Sequence, residues 1–258
     1  MAVQRRGLGW IPDLPDARDH LYAAAPATLA SLPSQVDMRP QCPGVYDQGQ
    51  LGSCTGNAIA GAIEFDQMRQ HLGAPCPFTP SRLFIYYNER VMEHTVNSDA
   101  GAQIRDGIKS VAKQGDCPES EWPYNIPNFA ERPPGQCYAD ALKYRAVQYA
   151  SVPRLLNQMK GCLASGLPFV FGFTVYDSFM SDAVAQTGEV PMPNLSTEQV
   201  QGGHAVGAVG YDDTQQRFIV RNSWGTGWGM QGYFTMPYAY LLDPQLASDF
   251  WRITLVAG

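Results

Sequence analysis

The sequence predicts an α+β protein of two lobes, one helical and one an antiparallel, barrel-like sheet, with a cleft between them. Three observations lead there. From residue 54 to about 115, apolar residues recur at helical spacing. From 168 to 255 they fall into short β-branched and aromatic runs bounded by Gly, Pro and Asp, as strands do. A proline-rich crossing, Pro123 to Pro134, separates the two patterns. At 258 residues the chain is near the size at which one core divides in two. The expected limits are an extension over 1–31 and a main domain over 32–258, with a helical lobe at roughly 42–135 and a β-rich lobe at roughly 136–258.

The extension is proline-punctuated from Trp10 to Asp19 and reads as linker from Ala23 to Ala27. It is expected to lie across the cleft and limit entry as a short intramolecular inhibitor; the competing reading is that it caps a lobe edge or is disordered. Next comes Asp47-Gln48-Gly49-Gln50-Leu51-Gly52-Ser53-Cys54-Thr55-Gly56-Asn57-Ala58, a glycine-rich loop running into a helix with a cysteine at the junction. The unpaired N–H groups and positive dipole end of a helix start stabilise a thiolate, so Cys54 is the candidate nucleophile with an expected depressed pKa. Gln48 can fold back and aim its side-chain NH2 beside the sulfur, where an oxyanion would form.

Ala58, Ile59, Ala62, Ile63 and Phe65 form the buried stripe of that helix, with Glu64 and Arg69 outside it. Thr79 to Tyr87 reads as a capped second helix with proline in its first turn. Asp99 to Asp106 leads into a third that ends near Gly115. Beyond the crossing, Leu155 to Leu163 is a short helix, and strands are expected at Pro168–Val175, Ala205–Gly210, Phe218–Arg221, Tyr233–Met236 and Phe250–Leu255. Gly188 to Gln201 is a surface loop.

Charged residues make up 16% and hydrophobic ones 45%, which excludes a disordered polyelectrolyte. A net charge of -6 without a long Lys/Arg run excludes nucleic acid or an anionic membrane as main partner, Arg5-Arg6 being too short to count. No apolar stretch approaches a membrane span, and Met1 to Trp10 lacks the hydrophobic core of an export signal. As written the chain is expected to be cytoplasmic, and secreted if a leader was removed. Of the six cysteines, at 42, 54, 76, 117, 137 and 162, one is assigned to chemistry, so at least one other is free in a monomer. With no Cys-x-x-Cys and no closely spaced His pair, neither a metal site nor a cofactor is expected.

Gly202-Gly203-His204-Ala205 puts a histidine at the head of an apolar strand, and Arg221-Asn222-Ser223-Trp224 places an asparagine beside a tryptophan. His20, His71 and His94 are read as surface or structural residues. If the lobes bring Cys54 and His204 together, the imidazole takes the thiol proton, the resting state can be an ion pair, and the thiolate can attack an electrophilic carbonyl. His204 then protonates the leaving amine before water hydrolyses the acyl-enzyme. Asn222 orients the ring and Trp224 shields that bond from water.

In this order of Gln, Cys, His and Asn the chain resembles the papain family of cysteine peptidases, and within it the bacterial branch with a short N-terminal extension. The blocks that carry the resemblance are Gln48–Ala58, Gly203–Tyr211 and Asn222–Tyr233, supported by Leu32–Arg39 and by Glu121-Trp122-Pro123-Tyr124. Two departures stand out. Leu51 and Thr55 replace the Cys and Trp usual around the nucleophile, and Gly203 replaces the polar residue often found before the histidine. The resemblance implies a papain-like two-lobe fold and a cysteine endopeptidase acting on peptide or protein substrates without a cofactor. It implies that Gly101 borders an extended substrate, that Ala205 and Ser248 form the wall and floor of the S2 pocket, which then favours apolar or aromatic side chains, and that Trp224 contributes to the primed side. A catalytically silent peptide-binding module and a thioester-forming acyl transferase are the alternatives.

Overall fold

The computed structural model describes residues 6–71, 77–144 and 147–255, so Cys76 and the first five residues, Arg5 included, lie outside the described residues. Helices α1 (Pro26–Ala30), α2 (Cys54–Arg69), α3 (Arg82–Met92), α4 (Ile104–Gln114) and α5 (Gly135–Ala141) occupy the first part of the chain, and α6 (Leu156–Ala164), α7 (Asp182–Thr187) and α8 (Tyr238–Leu242) flank the sheet. The strands are β1 (Gln35–Asp37), β2 (Val147–Ser151), β3 (Phe169–Tyr176), β4 (Val200–Asp212), β5 (Arg217–Arg221), β6 (Tyr233–Pro237) and β7 (Ala247–Leu255). They form one antiparallel sheet in the order β2-β7-β3-β4-β5-β6, with β1 added to the far end of β4. The architecture is papain-like: an antiparallel sheet joined to a helical layer.

β3 is buried on both faces, which is why its sequence reads as a continuous apolar run. Phe169, Phe171 and Phe173 point into the sheet core with Phe218, Phe234 and Phe250, and each such ring stabilises the fold by about 1.5–3 kcal/mol over an exposed one. Val170, one step out of phase, meets Ala205 and the apolar side of α2.

α2 packs against α3 and α4 on one side and β4 and β7 on the other. Its burial therefore exceeds the expected stripe: Thr55, Asn57, Asp66 and Gln67 are buried as well. Each finds a polar partner. Asp66 accepts from Arg69, Gln70 and the Leu255 N–H, and Gln67 accepts from the Phe78 N–H. α3 begins one residue after Ser81, whose hydroxyl caps the Phe84 N–H, so Pro80 precedes the cap instead of lying in the first turn. α4 ends at Gly115, whose φ of 79° lies in the region glycine favours.

Six elements, α1, β1, α5, β2, α7 and α8, had no signature in the sequence, and α5 and β2 show why. α5 opens on a glycine and has only two buried residues, Cys137 and Ala141, which pack with Phe84 and Cys117 and so carry the helical layer past residue 135. β2 is recruited by pairing with β7. Among the described residues the cysteines at 42, 54, 117, 137 and 162 are free thiols, and no helix is long and apolar enough to cross a membrane.

Candidate active site

Cys54 is the first residue of α2 and its side chain is completely buried. The turn before it is braced by polar contacts. Asn57 donates to the carbonyl and hydroxyl oxygens of Ser53, the Ser53 hydroxyl meets the Tyr124 hydroxyl at 2.5 Å, and Asp99 accepts the Gly52 N–H. His204 lies in β4 opposite Phe173 of β3. Its Nε2 is 2.8 Å from Asn222 Oδ1, and an amide oxygen only accepts, so Nε2 carries the proton and Nδ1 is left as the basic nitrogen. Nδ1 is buried and has no hydrogen-bond partner. Trp224 lies against the imidazole, ring centroids 4.8 Å apart, and Trp228 abuts Trp224 edge-on at 5.2 Å.

Gln48 is fully buried and its amide is fixed at both ends. Oε1 accepts from the Ser223 hydroxyl at 2.5 Å, while Nε2 donates to the carbonyls of Leu51 at 2.9 Å and Gly7 at 3.1 Å. The first of these contacts identifies Ser223 as a site residue. Sequence reasoning missed it, although it adjoins Asn222.

The Gly7 carbonyl belongs to the N-terminal arm, which runs through the site. The Gly9 and Trp10 N–H groups share the Gly203 carbonyl, Ala102 N–H donates to the Gly9 carbonyl at 2.8 Å, and Ile11 N–H donates to the Ala102 carbonyl at 3.0 Å. The arm thus pairs in parallel with Ala102 on the helical side while touching β4 on the other. Glycines make the approach possible. A Cβ on Gly101, whose φ is 75°, would come within 2.1 Å of the Gly9 carbonyl oxygen, and one on Gly203 within 2.3 Å of the Trp10 oxygen. Gly101 donates its own N–H to the Tyr86 hydroxyl, so the pairing falls on Ala102.

The arm changes the electrostatics. The backbone amides of Ala205, Gly9 and Thr55 interact with the Cys54 sulfur, but burial outweighs them and pushes the thiol up to about 12. Burial likewise pushes His204 down to about 4, against the pull of Asn222. Thiol and imidazole are therefore both neutral, which corrects the expectation of a depressed thiol pKa and a resting ion pair: beneath the arm, desolvation exceeds the helix-terminus field.

Farther along, Trp10 Nε1 donates to Asp249 Oδ2 at 3.0 Å, and so does the Asp13 N–H at 2.8 Å. Asp13 accepts from Trp251 Nε1 and from the Arg105 N–H, and Arg105 forms an ion pair with Asp19. Ser248 pairs in register with Gly172, and it is the carboxylate of the next residue, Asp249, that meets the arm. Ala205 is buried beside Cys54. His20, His71 and His94 are exposed. Away from the site, Cys117, Glu121 and Cys137 bring three potential metal-ligand atoms within 4.8 Å of one another, one ligand short of a closed tetrahedral set.

Comparison with known proteins gives a consistent result. Residues 32–241 match the model of the papain family of cysteine proteases. An uncharacterized peptidase C1-like protein of Acanthamoeba polyphaga mimivirus is 43% identical, over 96% of this chain and 86% of that protein. The crystal structure of xylellain, a cysteine protease from Xylella fastidiosa, superposes with a TM-score of 0.92 at 45% identity, over 100% of this chain and 99% of that one. A digestive procathepsin L of Tenebrio molitor shares the fold, with a TM-score of 0.71 at 21% identity over 98% of this chain and 77% of that one.

Proposed function

Since the chain belongs to the papain family of cysteine proteases, we propose that it hydrolyses peptide bonds through Cys54, His204, Asn222 and Gln48, and that residues 1–31 restrain the domain over 32–258 that does so. When the arm leaves, water and substrate reach Cys54, the desolvation that keeps the thiol neutral is relieved, and Nδ1 of His204 accepts its proton. The thiolate attacks the carbonyl, Gln48 Nε2 stabilises the oxyanion, and His204 returns the proton to the departing amine. Water then cleaves the thioester. Asn222 holds the ring with Nε2 protonated throughout, and Trp224 keeps that bond dry.

The observation that carries this reading is the Gly7 carbonyl on Gln48 Nε2, 3.1 Å away: the arm presents a peptide oxygen to the very donor assigned to the oxyanion. The residues on the Ala102–Gly203 wall follow that carbonyl in the chain, whereas a substrate whose acyl half used the wall would have them precede it. The arm therefore runs against the productive direction, which accounts for a peptide that fills the site without being cut. The test is hydrolysis of fluorogenic peptides with mass-spectrometric trapping of the acyl-enzyme. Turnover and a thioester on Cys54 are expected, with both lost in Cys54→Ala. Probe labelling of Cys54 without turnover would favour a silent binding module, and transfer to an added amine in place of hydrolysis an acyl transferase.

A further inference from the structure

The indole of Trp10 shows the shape of one substrate pocket. Its face rests on Gly172 of β3, where a Cβ would come within 1.9 Å of Cε2, and on Gly203 of β4, where a Cβ would come within 2.8 Å of Cε3. Val170, Ala205 and Trp251 belong to the same apolar cluster, and at the far end the indole N–H reaches the Asp249 carboxylate. This is a slot for a flat or long apolar stem with an acid at its floor.

The fold makes an exception to put that acid there. Val170 pairs with Trp251 and Gly172 with Ser248, so Asp249 and Phe250 together face Phe171, and β7 bulges by one residue. Asp249 takes a φ of 59°, a conformation that costs most residues energy and that Asp tolerates better than most. The bulge keeps Phe250 in the core while turning Asp249 toward the pocket. Two of the N–H donors to Asp249, the Trp10 indole and the Asp13 amide, belong to the arm. Departure of the arm strips both and leaves the Ser248 hydroxyl as donor, and a half-buried carboxylate short of donors favours whatever restores them. The nearby cation Arg105 stands over the Trp251 ring, 5.5 Å from its centroid, and among the described residues makes no hydrogen bond to Asp249.

We propose that Asp249 selects the substrate: once the arm is out, the pocket takes a long side chain ending in an N–H donor, arginine, lysine or tryptophan, and rejects a carboxylate. The inference rests on the peptidase reading above and deepens it, by placing an acid where Ser248 was expected to leave a neutral floor. Trp10 is then the arm's imitation of the preferred side chain, the one that lies two residues before the scissile bond in a substrate.

The test is a set of fluorogenic peptides that differ only at that position, carrying Arg, Glu, Trp or 2-naphthylalanine, the last matching tryptophan in bulk without its N–H. The full chain serves, because an arm that closes a fraction of the molecules scales every substrate alike and leaves the ratios of kcat/KM intact. Arg is expected to exceed Glu by at least tenfold and Trp to exceed naphthylalanine several-fold. Asp249→Asn suits the same backbone conformation, and it should cut the Arg-to-Glu ratio by about tenfold or more. Equal cleavage of Arg and Glu peptides, or a ratio that Asp249→Asn leaves unmoved, would overturn the proposal while sparing the peptidase reading. No cleavage of any peptide and no labelling of Cys54 would overturn that reading and this one with it.

Discussion

Gln48 depends on a neighbour. With Oε1 bound to the Ser223 hydroxyl, its amide cannot flip, and Nε2 stays aimed at the arm's carbonyl. Gln48→Ala should lower kcat by about 100- to 1,000-fold, as loss of an oxyanion donor does. Ser223→Ala, which frees the amide to turn, should lower kcat by roughly tenfold with little change in KM. Gln48, Cys54, His204 and Asn222 stand out in the sequence because the proposed chemistry demands those residue types with those flanks. Ser223 was not, since a serine gains such a role only from proximity across 175 positions. Glu89 is another residue that only the fold reveals. It is fully buried, accepts the Thr55 hydroxyl at 2.5 Å, and burial raises its carboxyl well above the usual range. A raised carboxyl favours the folded state below the unfolded pKa near 4.3 and loses that advantage as pH rises toward the folded value. Glu89→Gln should therefore gain stability relative to wild type as pH rises above about 5, by up to about 1.4 kcal/mol per pH unit, in urea denaturation. A difference that does not change with pH would contradict this.

At the scale of elements, the long periodic helices and strands were readable because a single buried stripe or a doubly buried run dictates their pattern. α5, β2 and the bulge at Asp249 were not, because each is recruited by packing or pairing with partners far away in the sequence. The arm's role was open between a cleft-crossing inhibitor and a lobe cap, and proline punctuation alone does not decide between them. Its hold on the body includes two carboxylates. Burial, with the charge of Asp249 on β7 adding to it, raises Asp13 to about 7, opposed by Trp251, by the Arg105 N–H and by the Arg105 charge on α4; Asp249 is raised as well, chiefly by burial. Asp16 and Asp19 on the arm face Lys109 and Arg105 nearby. Released, Asp13 returns to an ordinary value near 3.9, so the docked arm binds a proton that the free arm does not. Docking is tightest below about pH 4 and weakens as pH rises through about 7. Asp13→Asn imitates the protonated acid and should keep the arm in place at higher pH. The ratio of wild-type to Asp13→Asn activity is expected to rise by at least about tenfold from pH 5 to pH 8. A flat ratio would remove the carboxylate pair from the account.

At the scale of the molecule, helical layer and sheet supply opposite walls of one cleft, and the arm from Gly7 to Asp13 lies between them with hydrogen bonds to both. On the proposed reading the same contacts serve restraint and recognition: Gln48 with the Gly7 carbonyl, Gly203 and Ala102 with the arm's main chain, Asp249 with the Trp10 indole. Truncating a buried tryptophan typically costs about 3–5 kcal/mol, and here that cost falls on the closed state. The most direct measurement is therefore kcat/KM on one fluorogenic peptide for the full chain, for Trp10→Ala and for Trp10→Ala with Cys54→Ala. Trp10→Ala is expected to be at least tenfold more active than wild type, and adding Cys54→Ala to abolish the gain. Wild-type and Trp10→Ala chains of equal activity, or activity that survives loss of the Cys54 thiol, would contradict this.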